Sequence, residues 1–404
     1  MVCLSYINVI FADDESENID FNEVNKVIET AAKVEDLPKI NSRYAVVIDK
    51  NNKTVIYGKN ENTKTKMAST TKIMTCLVVL ENANLRDIVE TSAKAAGTGG
   101  SKLKFKKGDK ISVNDLLYGL MLRSGNDAAV ALAEHVGGNI EGFATLMNKK
   151  AVKLGLKNTH FETPHGLDSD NHYTTPYELA LLTAYALENN IFKTIVGTKS
   201  CSININGIPR TIFNTNELLG NLNGVYGVKT GFTNGAGRCL VTAIKRENLD
   251  AICVVLGADT KKDRTADSVK LIEYTFKNYE SINISNKINE EFEKWKSINE
   301  KRIVIKNGIK PSTKIKLDEY NIKTYPIKKN SENNIKVEIN GNLNINAPVR
   351  KNTKIGELKV FYDDKCISEI DILTNENIRE KTVFDYIYEM IKDYNKYLKR
   401  AVEN

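Results

Sequence analysis

The order in which two hydrophobic periodicities follow one another limits the fold of this chain more than any single residue does. Alternation comes first: RYAVVIDK from Arg43, a turn at Asn51-Asn52, then KTVIYGKN, which together predict a hairpin. Residues 69–190 carry helical spacing instead, in LLYGLMLRS, DAAVALAEHV, GFATLMNKKAVKL and PYELALLTAYAL, with Gly, Asn or Pro between them. Strand patterns return in GVYGVKTG, RCLVTAIKRE and LDAICVVLGA, and a helix is expected over residues 264–279. Strands at both ends of a helical middle predict an α/β layered domain whose sheet is closed by segments distant in sequence.

After the charged, helix-like stretch EEFEKWKSINEK the pattern changes again. RIVIK, TKIKLDEY, NIKVEIN, ELKVFY and CISEIDIL alternate apolar and polar residues between turns, so residues 300–378 read as a separate, small β-rich domain. With 404 residues, 41% hydrophobic and 27% charged, the chain has the balance of a soluble protein with a sizeable core. That excludes wholesale disorder, a collagen-like repeat and a polytopic membrane protein. The net charge of +7 is spread along the chain. It suits an anionic setting such as a cell wall or membrane surface, and no dense basic block points to nucleic acid.

Both ends carry location signals. Residues 1–12, MVCLSYINVIFA, are uncharged and too short to span a bilayer; they read as the apolar part of a secretory signal peptide ending at Ala12. The basic stretch that opens such a leader is missing, which reads as a start inside a longer one. Residues 13–40 follow as a polar, acidic tether. At the other end, residues 380–404 hold an amphipathic helix: Phe384, Ile387, Ile391, Tyr394, Leu398 and Ala401 share a face, and Lys392, Lys396, Lys399 and Arg400 crowd its second half. Two readings fit it equally, a helix lying in a membrane interface and a helix packed on its own domain. The six cysteines show no C-x-x-C pair, and Cys76, Cys239 and Cys253 lie in apolar runs, so neither a disulfide framework nor a zinc site is expected.

Three short motifs carry chemistry. Ser69-Thr70-Thr71-Lys72 opens an apolar helix, and i,i+3 spacing brings a hydroxyl beside an amine. Alone the pattern is common and equally fits an N-cap serine with a solvent lysine. Ser124-Gly125-Asn126 sits between two helices, where it also suits an ordinary cap and turn. Lys229-Thr230-Gly231 ends a strand, offering charge and hydroxyl to a carboxylate and a glycine that lets a ligand approach.

In this order and within one α/β domain, the three motifs resemble those of the active-site serine penicillin-recognising enzymes. The text around them, MASTTKIMT, GDKISVNDLLYGLMLRSGNDAAVALAEHVGG, THFETPHGLDSDNHYTTPYELALL and GVKTGFTNGAGRCLVTA, is similar to the low-molecular-mass D-alanyl-D-alanine carboxypeptidases. The resemblance implies a β-lactamase/transpeptidase-like catalytic domain over residues 41–282: an antiparallel sheet flanked by helices, with a helical subdomain. It also likens the β region to those enzymes' C-terminal domain and the last helix to their membrane anchor. The implied substrate is a peptidoglycan stem peptide, with β-lactam antibiotics as inhibitors, no cofactor or metal, and an exported location at the cell wall or the outer face of the cytoplasmic membrane.

Residue roles follow from the same resemblance. Ser69 would attack the carbonyl of the penultimate D-Ala and form an acyl-enzyme, with Lys72 as base and Ser124 relaying a proton to the leaving amine. Asn126 would orient the substrate amide, while Lys229, Thr230, Gly231 and Arg264 would bind the substrate, chiefly its terminal carboxylate. The backbone N–H groups of Ser69 and Phe232 would form the oxyanion hole. A free lysine is neutral in only about one molecule in 2,500 at pH 7, so the site must depress Lys72, through desolvation and through Lys229 if the fold brings them together. Two departures from the family pattern are visible. Gly125 stands where related enzymes carry Asp, a form this carboxypeptidase branch commonly shows, and Phe232 stands where relatives often carry His or Tyr.

Other features are discounted. His165 through His172 match no zinc spacing, Glu162 lacks the surroundings of a β-lactamase deacylating base, and Gly97–Gly100 lacks the ending of a phosphate loop and reads as a border of the cleft. The rival functions are a β-lactamase or esterase of the same fold, and a non-catalytic wall-binding or scaffold protein, for which Lys72 would have no use.

Overall fold

The computed structural model describes residues 25–27, 29–30 and 37–402, so the expected leader lies outside the described residues, as does most of the tether. The chain divides after Glu280 into two compact units.

In the first, five strands form one antiparallel sheet: β1 (Tyr44–Asp49), β2 (Val55–Lys59), β3 (Val225–Thr233), β4 (Gly237–Arg246) and β5 (Leu249–Ala258). Their spatial order is β2-β1-β5-β4-β3. The N-terminal hairpin thus pairs with the last strand, Val46 opposite Val254, and distant segments close the sheet. Side chains on a strand alternate faces, and here both faces are covered. Val46 and Ile48 of β1, with Ile252, Val254 and Leu256 of β5, enter the larger core. Ala45 and Val47, with Ala251, Cys253 and Val255, enter the smaller one. All ten residues of β5 are buried, which is why LDAICVVLGA reads as a nearly continuous apolar run.

The larger core is roofed by helices α1 (Lys72–Asn82), α2 (Val113–Leu122), α3 (Asn126–Gly137), α4 (Ile140–Lys153), α5 (Pro176–Ala186) and α6 (Asn190–Val196). The smaller is covered by α7 (Lys261–Asn278) through Val269, Leu271 and Ile272. Side chains set the helix starts. Ser112 Oγ accepts from Asp115 N at 3.0 Å, and Thr175 Oγ1 from Glu178 N at 3.1 Å with Pro176 in the first turn. Thr260 Oγ1 accepts from Asp263 N at 3.0 Å, so α7 begins three residues before the expected 264. An additional hairpin, Ser200–Ile205 with Ile208–Phe213, turns at Asn206-Gly207, both residues at positive φ.

The second unit holds a four-stranded antiparallel sheet of β6 (Ile315–Leu317), β7 (Ile335–Gly341), β8 (Lys354–Tyr362) and β9 (Lys365–Thr374), in the order β6-β9-β8-β7. Leu358, Val360, Ile370 and Ile372 pack with Ile284, Ile288 and Phe292 of helix α8 (Ile284–Asn299). The charged stretch before the strands is therefore a helix whose inner stripe belongs to this core. The last helix, α9 (Val383–Val402), leaves its apolar face uncovered: Phe384 is 82% exposed, Ile391 55% and Tyr394 64%. Of the two readings of this helix, packing on its own domain is the one the structure contradicts. Among the described residues no helix is long and apolar enough to cross a membrane.

Candidate active site

A short 3-10 turn, Ala68–Thr71, leads into α1 and sets Ser69 three residues before Lys72. Ala68 adopts φ +48°, a left-handed conformation that costs a residue with a Cβ about 1–2 kcal/mol. The turn is tied by Thr70 Oγ1 donating to Met67 O at 2.6 Å and Thr71 Oγ1 donating to Ala68 O at 2.8 Å.

Lys72 is fully buried, and its Nζ lies 2.7 Å from Ser69 Oγ, 2.7 Å from Asn126 Oδ1 and 3.0 Å from His165 O. Its pKa is held well below the ordinary lysine value, first by desolvation and then by the nearby Lys229 charge, with Asp127 pulling the other way. A neutral amine has two N–H bonds and one lone pair. The carbonyl oxygens of Asn126 and His165 can accept the two N–H groups, which leaves the lone pair for the Ser69 hydroxyl proton.

Ser124-Gly125-Asn126 joins α2 to α3, with Ser124 at φ +60°. The Asn126 carboxamide is engaged at both ends, since its Nδ2 donates to Gly99 O at 2.8 Å while its Oδ1 accepts from Lys72. Its first task here is holding Lys72, a use that its expected contact with the substrate amide did not include. The residue after it, Asp127, was not anticipated. Its carboxylate accepts from the backbone N–H groups of Leu103, Lys104 and Ala128 at 2.9–3.0 Å, fixing the segment that crosses the site. A Cβ at Gly125 would sit 2.9 Å from Asp127 Oδ1, so a side chain there would crowd that carboxylate.

Strand β3 forms the sheet edge and runs directly past Ser69. A Cβ on Gly231 would meet Ser69 N at 2.9 Å and Thr70 N at 3.1 Å, so only glycine permits this approach. Lys229 is buried and donates to Thr230 O at 3.0 Å; the Thr230 and Thr215 hydroxyls are 2.7 Å apart. The guanidinium of Arg238 stacks on the Phe232 ring at 3.8 Å. Together Ser69, Ser101, Ser124, Asn126, Leu167, Thr230, Gly231 and Phe232 line one small cleft.

Arg264, expected at the substrate carboxylate, is not among those lining residues. It is 0% exposed and its guanidinium is bound to the Glu217 carboxylate, which also accepts from Thr265 Oγ1. A buried guanidinium needs such a partner, and Glu217 lies 47 residues away, too far for sequence spacing to suggest.

The segment with the two histidines braces the site. His165 gives its carbonyl to Lys72, Leu167 lines the cleft, and Asp168 accepts from Thr233 Oγ1 at 2.7 Å and Gly235 N at 2.9 Å, fastening the segment to the end of β3. His172 is buried against Thr71. Glu162 stands apart from the cleft and is bonded to the Ser169 hydroxyl. Gly99 and Ser101 do border the cleft, through bonds to Asn126 and, for Ser101, its lining position. Among the described residues no group of three or more His, Cys, Asp and Glu side chains is placed to hold a metal ion.

This arrangement, a serine beside a buried amine at the edge of an antiparallel sheet, is that of a serine acyl-transfer site. Residues 30–260 match the family model described as D-alanyl-D-alanine carboxypeptidase, and residues 320–380 match that of the penicillin-binding protein 5 C-terminal domain. D-alanyl-D-alanine carboxypeptidase DacF of Bacillus subtilis is 33% identical over 88% of this chain and 90% of its own. DacA of Escherichia coli is 30% identical over 97% and 94%. The crystal structure of penicillin binding protein 5 from Haemophilus influenzae superposes with a TM-score of 0.71 at 30% identity, covering 85% of this chain and 99% of that one. The chain belongs to the D-alanyl-D-alanine carboxypeptidase family of serine peptidases.

Burial makes the two inner histidines a pH-linked element of stability. Desolvation holds His172 down to about 4 and His165 to about 3, so both are neutral in the folded protein and protonate more readily when it unfolds. Their contribution is complete above the unfolded pKa near 6.5 and is lost as pH falls toward those folded values. For His172 the span corresponds to up to about 3 kcal/mol. Denaturant midpoints recorded against pH should therefore drop less steeply between pH 6.5 and 4 for His172→Gln, which cannot protonate, than for the wild type.

Proposed function

We propose that this protein is a D-Ala-D-Ala carboxypeptidase that removes the terminal D-Ala of peptidoglycan stem peptides through an acyl-enzyme on Ser69. The observation that carries the reading is the 2.7 Å approach of the buried Lys72 amine to Ser69 Oγ. Neutral Lys72 takes the hydroxyl proton as Ser69 Oγ bonds to the carbonyl carbon of the penultimate D-Ala. The resulting oxyanion is held by the N–H groups of Ser69 and Phe232, a pairing supported by the close passage of Gly231 past Ser69. Lys72 gives up that proton through Ser124 to the leaving nitrogen, the C–N bond breaks, and D-Ala departs. Water then attacks the ester as Lys72 takes its proton, which Lys72 passes to Ser69 Oγ as the acyl–oxygen bond breaks, releasing the shortened peptide and restoring Ser69.

Lys229 and Thr230 bind the terminal carboxylate, and Arg264 is held in place by its pairing with Glu217. Asn126 serves by orienting Lys72 and, from its lining position, the substrate amide. Among the described residues lining the cleft there is no carboxylate to assist Lys72 in clearing a penicilloyl ester, whose amine stays tethered and obstructs water. This favours the carboxypeptidase over a β-lactamase. Intact mass spectrometry after benzylpenicillin should show a long-lived adduct of the drug's mass that Ser69→Ala lacks, and Ser69→Ala should release D-Ala at least about 10³-fold more slowly. An adduct that vanishes as the drug is consumed would instead establish a β-lactamase, and release undiminished in Ser69→Ala would remove Ser69 from the chemistry.

An exported enzyme whose last helix lies in the membrane interface is the cellular setting we infer. The support is the uncovered apolar face of α9, with Phe384, Ile387, Ile391 and Tyr394 outward and Lys392, Lys396 and Lys399 beside them. The full chain should co-sediment with anionic phospholipid vesicles and lose that binding when Phe384 and Ile391 are both changed to Glu. Equal sedimentation of the two proteins would refute the interfacial helix.

A further inference from the structure

We propose that His172 is a positioning residue that aims the Ser69 backbone N–H through a relay with Thr71. The inference rests on Ser69 being the nucleophile and on its N–H serving the oxyanion. His172 is buried, and its Nδ1 accepts from the backbone N–H of Glu162 at 3.0 Å, with that of Thr163 at 3.4 Å. A backbone amide can only donate, so Nδ1 carries no proton and the neutral ring bears its proton on Nε2. Nε2 lies 2.8 Å from Thr71 Oγ1, and it must therefore donate to that oxygen. The Thr71 hydroxyl spends its own proton on Ala68 O, 2.8 Å away. Each bond fixes the direction of the next, so the chain runs one way: from the 162–163 backbone, across the imidazole and the hydroxyl, to the Ala68 carbonyl.

The endpoint gives the relay its meaning. The Ala68 carbonyl and the Ser69 N–H belong to one planar trans peptide and point in opposite directions. Whatever holds the carbonyl toward Thr71 aims the N–H away from it. Ala68 is at φ +48°, a conformation that a Cβ-bearing residue keeps only when its surroundings impose it. Gly166 presses on the same group from the loop that carries His172: a Cβ there would fall 1.9 Å from Ala68 O and 2.5 Å from Thr71 Oγ1. Neither Thr71 nor His172 lines the cleft, so neither touches the reacting atoms directly.

The test uses the full chain and stopped-flow acylation by benzylpenicillin, resolving the noncovalent dissociation constant from the first-order acylation constant. Thr71→Val and His172→Phe remove donors while roughly keeping shape. Each should slow acylation on the order of 10–100-fold and leave the noncovalent constant within about twofold. Thr71→Ser, which keeps the hydroxyl, and His172→Gln, which keeps an acceptor and a donor, should restore most of the rate. The Thr71→Val/His172→Phe double variant should be little worse than the poorer single one, because both cut one chain. Wild-type acylation rates in the folded single variants, a loss of affinity in place of rate, or failure of the Ser and Gln variants to restore the rate would each overturn the relay. If His172→Phe does not fold, the Thr71→Val and Thr71→Ser pair decides alone. These failures leave the Ser69-dependent adduct of the wild type intact; absence of that adduct would instead overturn the reading on which the relay rests.

Discussion

Everything in the site depends on burying one amine without giving it a counterion. An ionised lysine taken out of water costs several kcal/mol unless a carboxylate meets it, so burial favours the neutral amine. Asp127 is the acid nearest to hand, yet three backbone N–H groups already occupy its oxygens. Lys229 adds repulsion to desolvation and so makes the protonated form of Lys72 costlier still. The two carbonyl oxygens around Nζ suit a neutral amine, leaving its lone pair to Ser69. The same arrangement gives the buried Lys229 a purpose beside Lys72: its charge lowers the pKa of that amine.

The fold supplies that environment by bringing four remote segments together. The start of α1 brings Ser69 and Lys72, and the junction of α2 and α3 brings Ser124 and Asn126. The edge strand β3 brings Lys229 and Thr230, and the 162–172 segment closes the remaining side through His165 O, Leu167 and Asp168. Glycines stand where backbones nearly touch. Gly231 lets β3 pass the Ser69 turn, and Gly166 lets the brace reach Ala68. Large apolar cores on both sheet faces keep these segments in register, so that hydrogen bonds of 2.7–3.0 Å around Lys72 do not depend on flexible surface loops.

Features written locally were legible in the sequence. The Ser69–Lys72 spacing, the alternating strands and the helical stripes each depend on neighbours a few residues away, and the motif triplet made the family recognisable. Interactions between distant residues were not. Nothing in the spacing tells that Glu217 captures Arg264, that Asn126 holds Lys72 as well as facing the cleft, or that His172 bonds Thr71 across 101 residues. The burial of α8 and the exposure of α9 were likewise undecided, because both carry amphipathic patterns and only tertiary structure shows which face finds a partner. One signal was available and unused: Asn206-Gly207 between apolar alternations marks the hairpin that the strand reading passed over.

The central claim is that Lys72 titrates well below an ordinary lysine because of where it is buried and what lies beside it. NMR titration of the full chain carrying lysine labelled with carbon-13 at Cε, with the Lys72 signal assigned by its loss in Lys72→Arg, measures this directly. Lys72 should titrate well below the ordinary lysine value of 10.5, and Lys229→Gln, by removing the repelling charge, should move it upward. A Lys72 signal that titrates at or above the ordinary value would contradict the account.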